Sequence, residues 1–167
     1  METSAQLQPA GGEDLHARLA ARLREQAGDI RRLVSGLDEE ALATRPLPEK
    51  WSLKELLAHL WRVQEVFEAR IAAMLTQTKP VLAPYEQEGD PEFEQKLKNT
   101  CDELLAGFLG DREELAALLD SLSPGDWRHR GIHPEYHHYD VQFAVEYLVH
   151  HEAHHLYQMF QRRVLLV

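Results

Sequence analysis

Apolar residues recur every three or four positions over four long segments of this chain, which is the spacing of one face of an α-helix. The first segment runs from about Glu13 to Val34 and stops at Ser35-Gly36, where glycine is typical of a helix C-terminus. A short acidic segment at residues 38–42 then predicts one further turn of helix before the next prolines.

The second long segment opens with a helix start signal. Ser52 is followed three residues later by Glu55, so the two predict a capping box with Ser52 as the N-cap. Residues 78–89 contain two prolines and a glycine and are predicted to be a loop. The apolar stripe of this helix contains Leu53, Leu56, Leu57, Leu60, Val63 and Phe67.

The third predicted helix runs without a break from Asp90-Pro91 to about Leu122. Asp90 is a favourable N-cap and Pro91 a favourable first helical residue, and Ser123-Pro124-Gly125 ends the segment. Gly107 and Gly110 lie inside it, and they indicate either a bend or the close approach of another helix.

The fourth segment, from about Asp140 to Leu166, follows a loop at residues 126–139 and contains neither proline nor glycine. Four long helices joined in this way predict an all-α four-helix bundle. We predict a single domain over residues 13–167, preceded by a disordered tail at residues 1–12, which are mostly small and polar.

The composition argues against several classes of function. A formal net charge of −10 disfavours nucleic acids and anionic membrane surfaces as partners, because both require clustered Lys and Arg. No apolar run approaches the ~20 residues that span a bilayer, and no signal-peptide pattern is present. The single cysteine, Cys101, excludes an intrachain disulfide and suits a reducing compartment. We therefore expect a cytoplasmic protein without nucleic-acid or membrane partners.

Four of the ten histidines fall within the six residues 150–155 of the fourth helix. Residues four apart share a helix face, so His151 pairs with His155 and His150 pairs with His154. The first pair lies on or beside the apolar stripe, whereas the second lies on the polar flank. Because two neutral imidazoles one turn apart can chelate one metal ion, His151 and His155 are the candidate ligands.

His59, on the second helix, is the candidate third ligand. It lies next to Leu60, at the edge of the buried face. A single histidine in that position is more often a hydrogen-bonded core residue, so a ligand role requires the second and fourth helices to be neighbours. Three imidazoles on one ion leave a coordination position open, which is typical of a catalytic site.

Two segments resemble the signatures of a known family. Residues 50–60, with the sequence Lys-Trp-Ser-Leu-Lys-Glu-Leu-Leu-Ala-His-Leu, are similar to the helix-two signature of the DinB/YfiT-like superfamily. Residues 151–158 are similar to its helix-four pattern, in which a histidine and an acid precede two histidines and a glutamine. Arg45-Pro46 and residues 108–112 also fit, and the resemblance spans about residues 13–165.

The resemblance implies a four-helix bundle, often dimeric, in which three histidines hold a divalent metal ion. The matching positions in this sequence are His59, His151 and His155, and His154 matches a position that is not a ligand. The face argument made from the residues alone selects the same pair on the fourth helix.

The resemblance also implies an activity. The family includes thiol-dependent S-transferases and isomerases that use bacillithiol or mycothiol. The expected function is therefore S-transfer that uses a zinc or nickel ion and a low-molecular-weight thiol on a small-molecule substrate, in a homodimer. A metal-dependent hydrolase, a non-catalytic metal-binding stress-response module, and a bundle whose histidines only pack are the alternatives.

Other residues near the candidate site have competing interpretations. Glu152, the single acid in the apolar stripe, and Gln158 are candidates to orient the ligand rings, although Gln158 fits a solvent-facing or interhelical hydrogen bond equally well. Glu55 is expected to complete the capping box rather than to bind metal, and Trp51 to cover the core rather than to stack on substrate. Cys101 is expected to be a buried core residue rather than a reactive thiolate. The loop histidines are expected to be solvated rather than to edge a pocket or add a transient ligand: His129, His133, His137 and His138.

Overall fold

The computed structural model describes residues 12–167 and contains four long helices. In this range the only β pairing consists of two isolated bridges, so the all-α prediction is confirmed. The predicted tail lies outside the described residues apart from Gly12, at which the first helix begins. The helices are α1 (Gly12–Val34), α2 (Glu39–Ala43), α3 (Leu53–Thr76), α4 (Pro91–Lys96), α5 (Cys101–Ser121) and α6 (Val141–Val164), with a 3-10 turn at Asp126–Arg128.

The four long helices form a bundle in which α1 and α3 each pack against both α5 and α6. The order around the bundle is therefore α1, α5, α3, α6, and the consecutive pairs α1–α3 and α5–α6 lie on its diagonals. Each of these pairs is joined by a connection that crosses an end of the bundle: residues 35–52, which include α2, and residues 122–140. This order makes α3 and α6 direct neighbours, as the metal-site hypothesis requires.

The predicted helix starts agree with local hydrogen bonding. The Ser52 hydroxyl accepts from the Glu55 backbone N–H at 3.1 Å, and the Glu55 carboxylate accepts from the Ser52 N–H at 2.8 Å. Asp140 caps α6 by accepting from the Phe143 N–H at 2.8 Å. Because free N–H groups of a first turn need such partners, these caps place the starts of α3 and α6.

The prediction of one continuous third helix is wrong. The segment is two helices, α4 and α5, separated by residues 97–100. Thr100 begins α5 with its own capping box: its hydroxyl accepts from the Glu103 N–H at 3.2 Å, and Glu103 accepts from the Thr100 N–H at 2.8 Å. A threonine used as an N-cap has extended backbone geometry, so the helix cannot run through it.

Gly107 marks a close approach between helices. A Cβ atom added there would lie 2.2 Å from the Trp61 ring of α3, whereas one added at Gly110 would meet nothing within 4 Å. Glycine thus lets the indole of α3 lie directly on the backbone of α5. Of the two interpretations offered by the glycines, close packing applies at Gly107.

A layer of buried polar groups divides the core into two apolar clusters. The layer is centred on Arg112, whose guanidinium donates to the Glu152 carboxylate, to the Gln64 side chain and to the Leu23 backbone carbonyl. These groups belong to α5, α6, α3 and α1, so one side chain links all four long helices. Within residues 12–167, no helix combines the length and apolar character that a bilayer-crossing segment requires.

Candidate metal centre

His59 lies in the second turn of α3 and is buried, with 6% of its surface exposed. The capping box at Ser52 sets where the helix begins and therefore which face each later residue occupies. His59, Val63 and Phe67 follow at four-residue intervals, so they share the face that packs towards α6. The position is the edge of the apolar stripe, as the sequence predicts.

On α6, His151 and His155 lie one turn apart on the inward side of the helix. His155 is buried and His151 is half-buried, whereas His150 and His154 are exposed. The face argument made from the sequence therefore separates the two pairs correctly.

The three inward rings meet at one point. The Nε2 atoms of His59 and His151 are 3.3 Å apart, and those of His151 and His155 are 3.1 Å apart. One ligand atom from each of the three rings lies within 4.8 Å of the others. Nitrogen ligands of a tetrahedral zinc ion, at about 2.0–2.1 Å from the metal, stand about 3.3 Å from one another, so the cluster fits one ion.

Hydrogen bonding assigns the proton of His155. Its Nδ1–H donates to the Gln158 side-chain oxygen at 2.8 Å, which leaves the Nε2 lone pair facing the other two rings. The Gln158 amide nitrogen lies 3.1 Å from His154 Nε2 and donates to it. Gln158 therefore orients a candidate ligand ring, which is the first of the two roles predicted for it.

Hydrogen bonds alone do not satisfy this cluster. His151 Nε2 carries either one proton or one lone pair, so it can make a hydrogen bond with only one of its two imidazole neighbours. In addition, the Nδ1 atoms of His59 and His151 are buried without a hydrogen-bond partner. Buried polar nitrogens without partners are costly, and a cation between the three Nε2 atoms would remove the conflict at that side of the rings.

The rings are neutral near pH 7. Burial, and then the neighbouring rings of His155 and His151, lower the pKa of His59 to about 3. Burial, followed by the rings of His155 and His154, lowers the pKa of His151 to about 4. Burial also lowers the pKa of His155, although its bond to Gln158 opposes this. Neutral imidazole is the form that binds metal.

Among the described residues, Glu152 forms no hydrogen bond with a histidine ring, contrary to its predicted orienting role. It is fully buried and forms a two-pronged ion pair with Arg112, with one N–O distance of 2.9 Å. Glu55 is occupied by the capping box and by an ion pair with Arg45. Neither acid is free to act at the three histidines.

The neighbouring aromatic and sulfur groups take the expected structural roles. Trp51 covers the end of the cluster, with its ring 4.9 Å from the His59 ring and 5.7 Å from the Phe93 ring. Cys101 is buried, and burial together with Glu39 raises the pKa of its thiol to about 12. A thiol with so high a pKa carries no nucleophilic thiolate at neutral pH.

The loop histidines divide differently from the prediction. His129, His137 and His138 are exposed, as expected. His133 is buried, with 6% of its surface exposed, and stacks on Tyr139 at 5.2 Å. Its burial follows from the contact between two loops. The Leu82 N–H donates to the Ile132 carbonyl at 2.8 Å and the Ile132 N–H donates to the Pro80 carbonyl at 2.8 Å, which holds residues 126–139 against the bundle.

A cavity of about 240 Å³ opens beside His59 and His151. Its wall is largely aromatic, and it combines one face of α3, one face of α6, the loop after α3 and the loop before α6. Sequence reasoning did not find this cavity, although the four-residue spacing of His59, Val63 and Phe67 on α3 was its signal. Its lining includes Phe67, Arg70, His133, Glu135, Tyr139 and Tyr147.

The fold and the site define a class of protein: a helical bundle that gathers three histidines from two helices beside an aromatic cavity. A sequence model of the DinB superfamily matches residues 22–159, and the chain belongs to that superfamily. The resemblance inferred from the two motifs is thereby confirmed.

Three individual proteins are similar to this chain. Uncharacterized protein YuaE of Bacillus subtilis (strain 168) is 25% identical over 138 residues, which cover 75% of this chain and 85% of YuaE. YfiT from Bacillus subtilis, described as a probable metal-dependent hydrolase with an unusual four-helix bundle topology, matches with a TM-score of 0.79 at 18% identity and covers 96% of this chain and 91% of its own. The mycothiol-dependent maleylpyruvate isomerase matches with a TM-score of 0.72 at 14% identity, over 95% of this chain and 63% of its own. At these identities the two structures show a shared fold.

Proposed function

We propose that the protein is a metal-dependent enzyme that binds one divalent ion through His59, His151 and His155 and transfers a low-molecular-weight thiol to a small molecule in the adjoining cavity. The observation that carries the proposal is the set of three Nε2 atoms whose mutual contacts hydrogen bonds cannot all satisfy. That conflict supports a metal ion over the alternative in which the histidines only pack.

The surroundings of the histidines favour a thiol as the nucleophile. A divalent ion, when bound, deprotonates a coordinated thiol or lowers the pKa of a coordinated water. Water as a nucleophile usually needs a carboxylate or imidazole base to take its proton. Glu55 and Glu152 are both paired with arginines, which leaves only the exposed Glu135 among the carboxylates described at the cavity. A thiol that is deprotonated on binding needs no such base.

The protein's own residues would then have separate tasks. Gln158 holds the His155 ring with its Nε2 lone pair turned inward. Trp51 closes one end of the cluster against solvent. The aromatic rings of the cavity, including Phe67 and Tyr147, would exclude water from the substrate and position it next to the histidines.

Hydrolysis is the second candidate, and the structural likeness to YfiT favours it. Among the described residues that line the cavity, Glu135 is the only carboxylate, so it is the candidate base in a hydrolase. Glu135→Gln therefore separates the two reactions. The change should leave S-transfer within about threefold of wild type and should reduce hydrolysis by about 100-fold or more.

Elemental analysis of the purified full-length protein tests the metal site. We expect about one divalent ion per chain, and its loss in His59→Ala, His151→Ala and His155→Ala. His150→Ala is the matched control, because His150 lies on the same helix but is exposed. Full metal content in His59→Ala would contradict the three-ligand site.

A screen of thiol cofactors against electrophilic substrates tests the reaction. Turnover that requires both the metal and a thiol supports S-transfer, and turnover with metal and water alone supports hydrolysis. Stoichiometric metal without turnover under either condition would instead support a non-catalytic metal-binding module.

A further inference from the structure

Arg70 is a buried cation in the wall of the cavity. It is 9% exposed and lines the same cavity as His59 and His151. On α3 it continues the face that carries His59, Val63 and Phe67, because positions 59, 63, 67 and 70 follow helical spacing. Arg70 stands eleven residues from His59, or about 16 Å along the helix axis.

The groups that contact the Arg70 guanidinium are all neutral. It donates to the Tyr139 hydroxyl at 3.1 Å and to the Ala83 carbonyl at 2.6 Å. The centres of the Phe67 and Tyr139 rings lie 5.0 Å and 5.8 Å from its central carbon. Among the described residues it forms no ion pair, unlike the half-buried Arg62, which pairs with Asp90 at 2.7 Å.

A buried arginine without a counter-charge is unusual, because arginine stays protonated at every relevant pH and desolvating its charge is costly. Arg162 also forms no ion pair with any residue that the structure describes, but it lies in the last turn of α6, where the helix dipole favours a cation. Arg70 lies before the last turn of α3. Its missing counter-charge is therefore best supplied by a ligand in the cavity.

The charges around Arg70 match a single carboxylate. His133, which stacks on Tyr139, adds no positive charge, because burial and the nearby Arg70 lower its pKa. The exposed Glu135 lines the cavity but forms no ion pair with Arg70. One guanidinium without a second cation suits a monoanion, whereas a phosphate dianion would leave one negative charge unpaired.

Stacked rings connect Arg70 to the histidines. Phe67 lies under the guanidinium and stacks on Tyr147 at 5.3 Å, and Tyr147 stacks on His151 at 6.3 Å. A flat, apolar body would make favourable contacts along this row. The row fits an elongated ligand, since its ends are about three helical turns apart.

We propose that Arg70 binds the carboxylate of an elongated organic acid whose flat, apolar body lies along Phe67 and Tyr147 and whose other end reaches His59 and His151. This proposal names a substrate class for the proposed function. It rests on that function in one respect, namely that the bound acid is the molecule that reacts.

Cinnamate and cinnamide test the proposal, because they share shape and size and differ in charge. Isothermal titration calorimetry on the full-length protein, with zinc and after treatment with EDTA, measures the affinity for each. Cinnamate should bind under both conditions, since Arg70 is part of the protein and not of the metal. Cinnamide should bind at least tenfold more weakly.

Arg70→Met should weaken cinnamate binding by at least tenfold with zinc and without it, and should leave cinnamide binding unchanged. Arg70→Lys should give an intermediate affinity, because it keeps the charge and loses the planar donor pair. The matched control is Arg24→Met, which removes a partly exposed arginine paired with Asp120 between α1 and α5. It should bind cinnamate like wild type.

Two results would overturn the proposal. One is unchanged cinnamate affinity in a folded Arg70→Met protein. The other is cinnamate binding that disappears with EDTA, which would make the metal, and not Arg70, the carboxylate site. If Arg70→Met does not fold, the Arg70 Nε–H signal of the wild-type protein, assigned with Arg70→Lys, should shift in NMR spectra with cinnamate and stay in place with cinnamide; no shift would also overturn the proposal.

The same measurements keep this proposal separate from the metal site. If the protein takes up no zinc when zinc is supplied, yet binds cinnamate through Arg70, the proposed function is contradicted and the carboxylate site is supported. Zinc binding by the three histidines without any Arg70-dependent cinnamate binding would support the metal site and contradict the carboxylate site.

Discussion

Arg112 and Arg70 are both buried, yet their surroundings are opposite. Arg112 lies in the polar layer across the core, where Glu152, Gln64 and a backbone carbonyl accept its hydrogen bonds and balance its charge. Arg70 lies in the cavity wall, where two neutral acceptors bind it and no acid within residues 12–167 forms an ion pair with it. The charge of Arg112 is balanced by an acid of the same chain, whereas no described acid balances the charge of Arg70.

A second contrast separates the Arg112–Glu152 pair from the histidine cluster. The guanidinium and carboxylate of the polar layer are fully partnered, whereas the cavity side contains the unpartnered Nδ1 atoms of His59 and His151. Buried polar groups left without partners weaken a fold. The polar layer is therefore expected to determine stability, and the cavity to determine ligand binding. The predictions below test that division, beginning with the largest expected effect.

Arg112→Met should be the most destabilising change. It leaves the Glu152 carboxylate buried without a counter-charge, which costs about 3–5 kcal/mol. For a chain of this size that corresponds to a fall in Tm of about 6–20 °C. Thermal unfolding followed by circular dichroism measures it.

The double variant Arg112→Met/Glu152→Met is the matched test of the cause. It should be more stable than Arg112→Met, because no unpaired charge remains. Arg24→Met, which breaks a partly exposed ion pair with Asp120, should cost less than about 1 kcal/mol. Equal effects of Arg112→Met and Arg24→Met would contradict the structural role of the polar layer.

Gln158→Ala should weaken zinc binding by about 10–100-fold without unfolding the protein. The change removes the hydrogen bond that orients the His155 ring, and His155 is the only one of the three rings whose Nδ1 has a described partner. Competition with a chromogenic chelator measures the affinity. Gln161→Ala is the control, since Gln161 is an exposed glutamine on the same helix. An unchanged zinc affinity in Gln158→Ala would show that this hydrogen bond does not orient the ligand.

Glu68→Gln should stabilise the protein at pH 8 and have little effect at pH 5. Burial, and then Asp111, raise the pKa of Glu68 to about 7, and one oxygen of its carboxylate is buried without a partner. A carboxyl whose pKa is higher in the folded state stabilises below its unfolded value, and that stability is lost as the pH rises towards 7.

One pKa unit corresponds to about 1.4 kcal/mol, and the carboxylate is only partly buried, so the gain in Glu68→Gln at pH 8 should be about 1–2 kcal/mol. Urea unfolding of both proteins at the two pH values measures it. The same stability difference at pH 5 and pH 8 would exclude titration of Glu68 as the cause.

Arg70→Met should have the smallest effect on stability, with a change below about 1 kcal/mol. The loss of two hydrogen bonds is offset by removal of a desolvated, unpaired charge. Urea unfolding beside Arg112→Met gives the direct comparison. A loss of more than about 2 kcal/mol would place Arg70 with Arg112 as a structural residue.

Much of the fold is predictable from local sequence. Apolar spacing and the Ser52–Glu55 capping box predict where α1, α3 and α6 lie, because helix faces and caps depend on residues a few positions apart. The break between α4 and α5 carries the same kind of signal in Thr100 and Glu103. That signal was missed because Asp90-Pro91 is a strong helix start and the apolar spacing continues past residues 97–100.

The candidate site is predictable to a lesser extent. The inward positions of His151 and His155 follow from the face of α6, and the structure brings His59 to them. That these three residues hold a metal stays a prediction. Arg70 and Arg112 look alike in the sequence, because each interrupts an apolar stripe. Which of them meets an acid depends on the order of the helices around the bundle, and local patterns do not contain that order.

The diagonal arrangement of the helices determines when the three histidines can come together during translation. His59 and His151 are 92 positions apart, and they meet only after α6 has crossed the end of the bundle and docked beside α3. Because chains emerge from the N-terminus, a growing chain holds one of the three histidines until its last helix is made. Metal uptake at the proposed site would therefore follow the synthesis of α6, and a product truncated before α6 would lack two of the three proposed ligands.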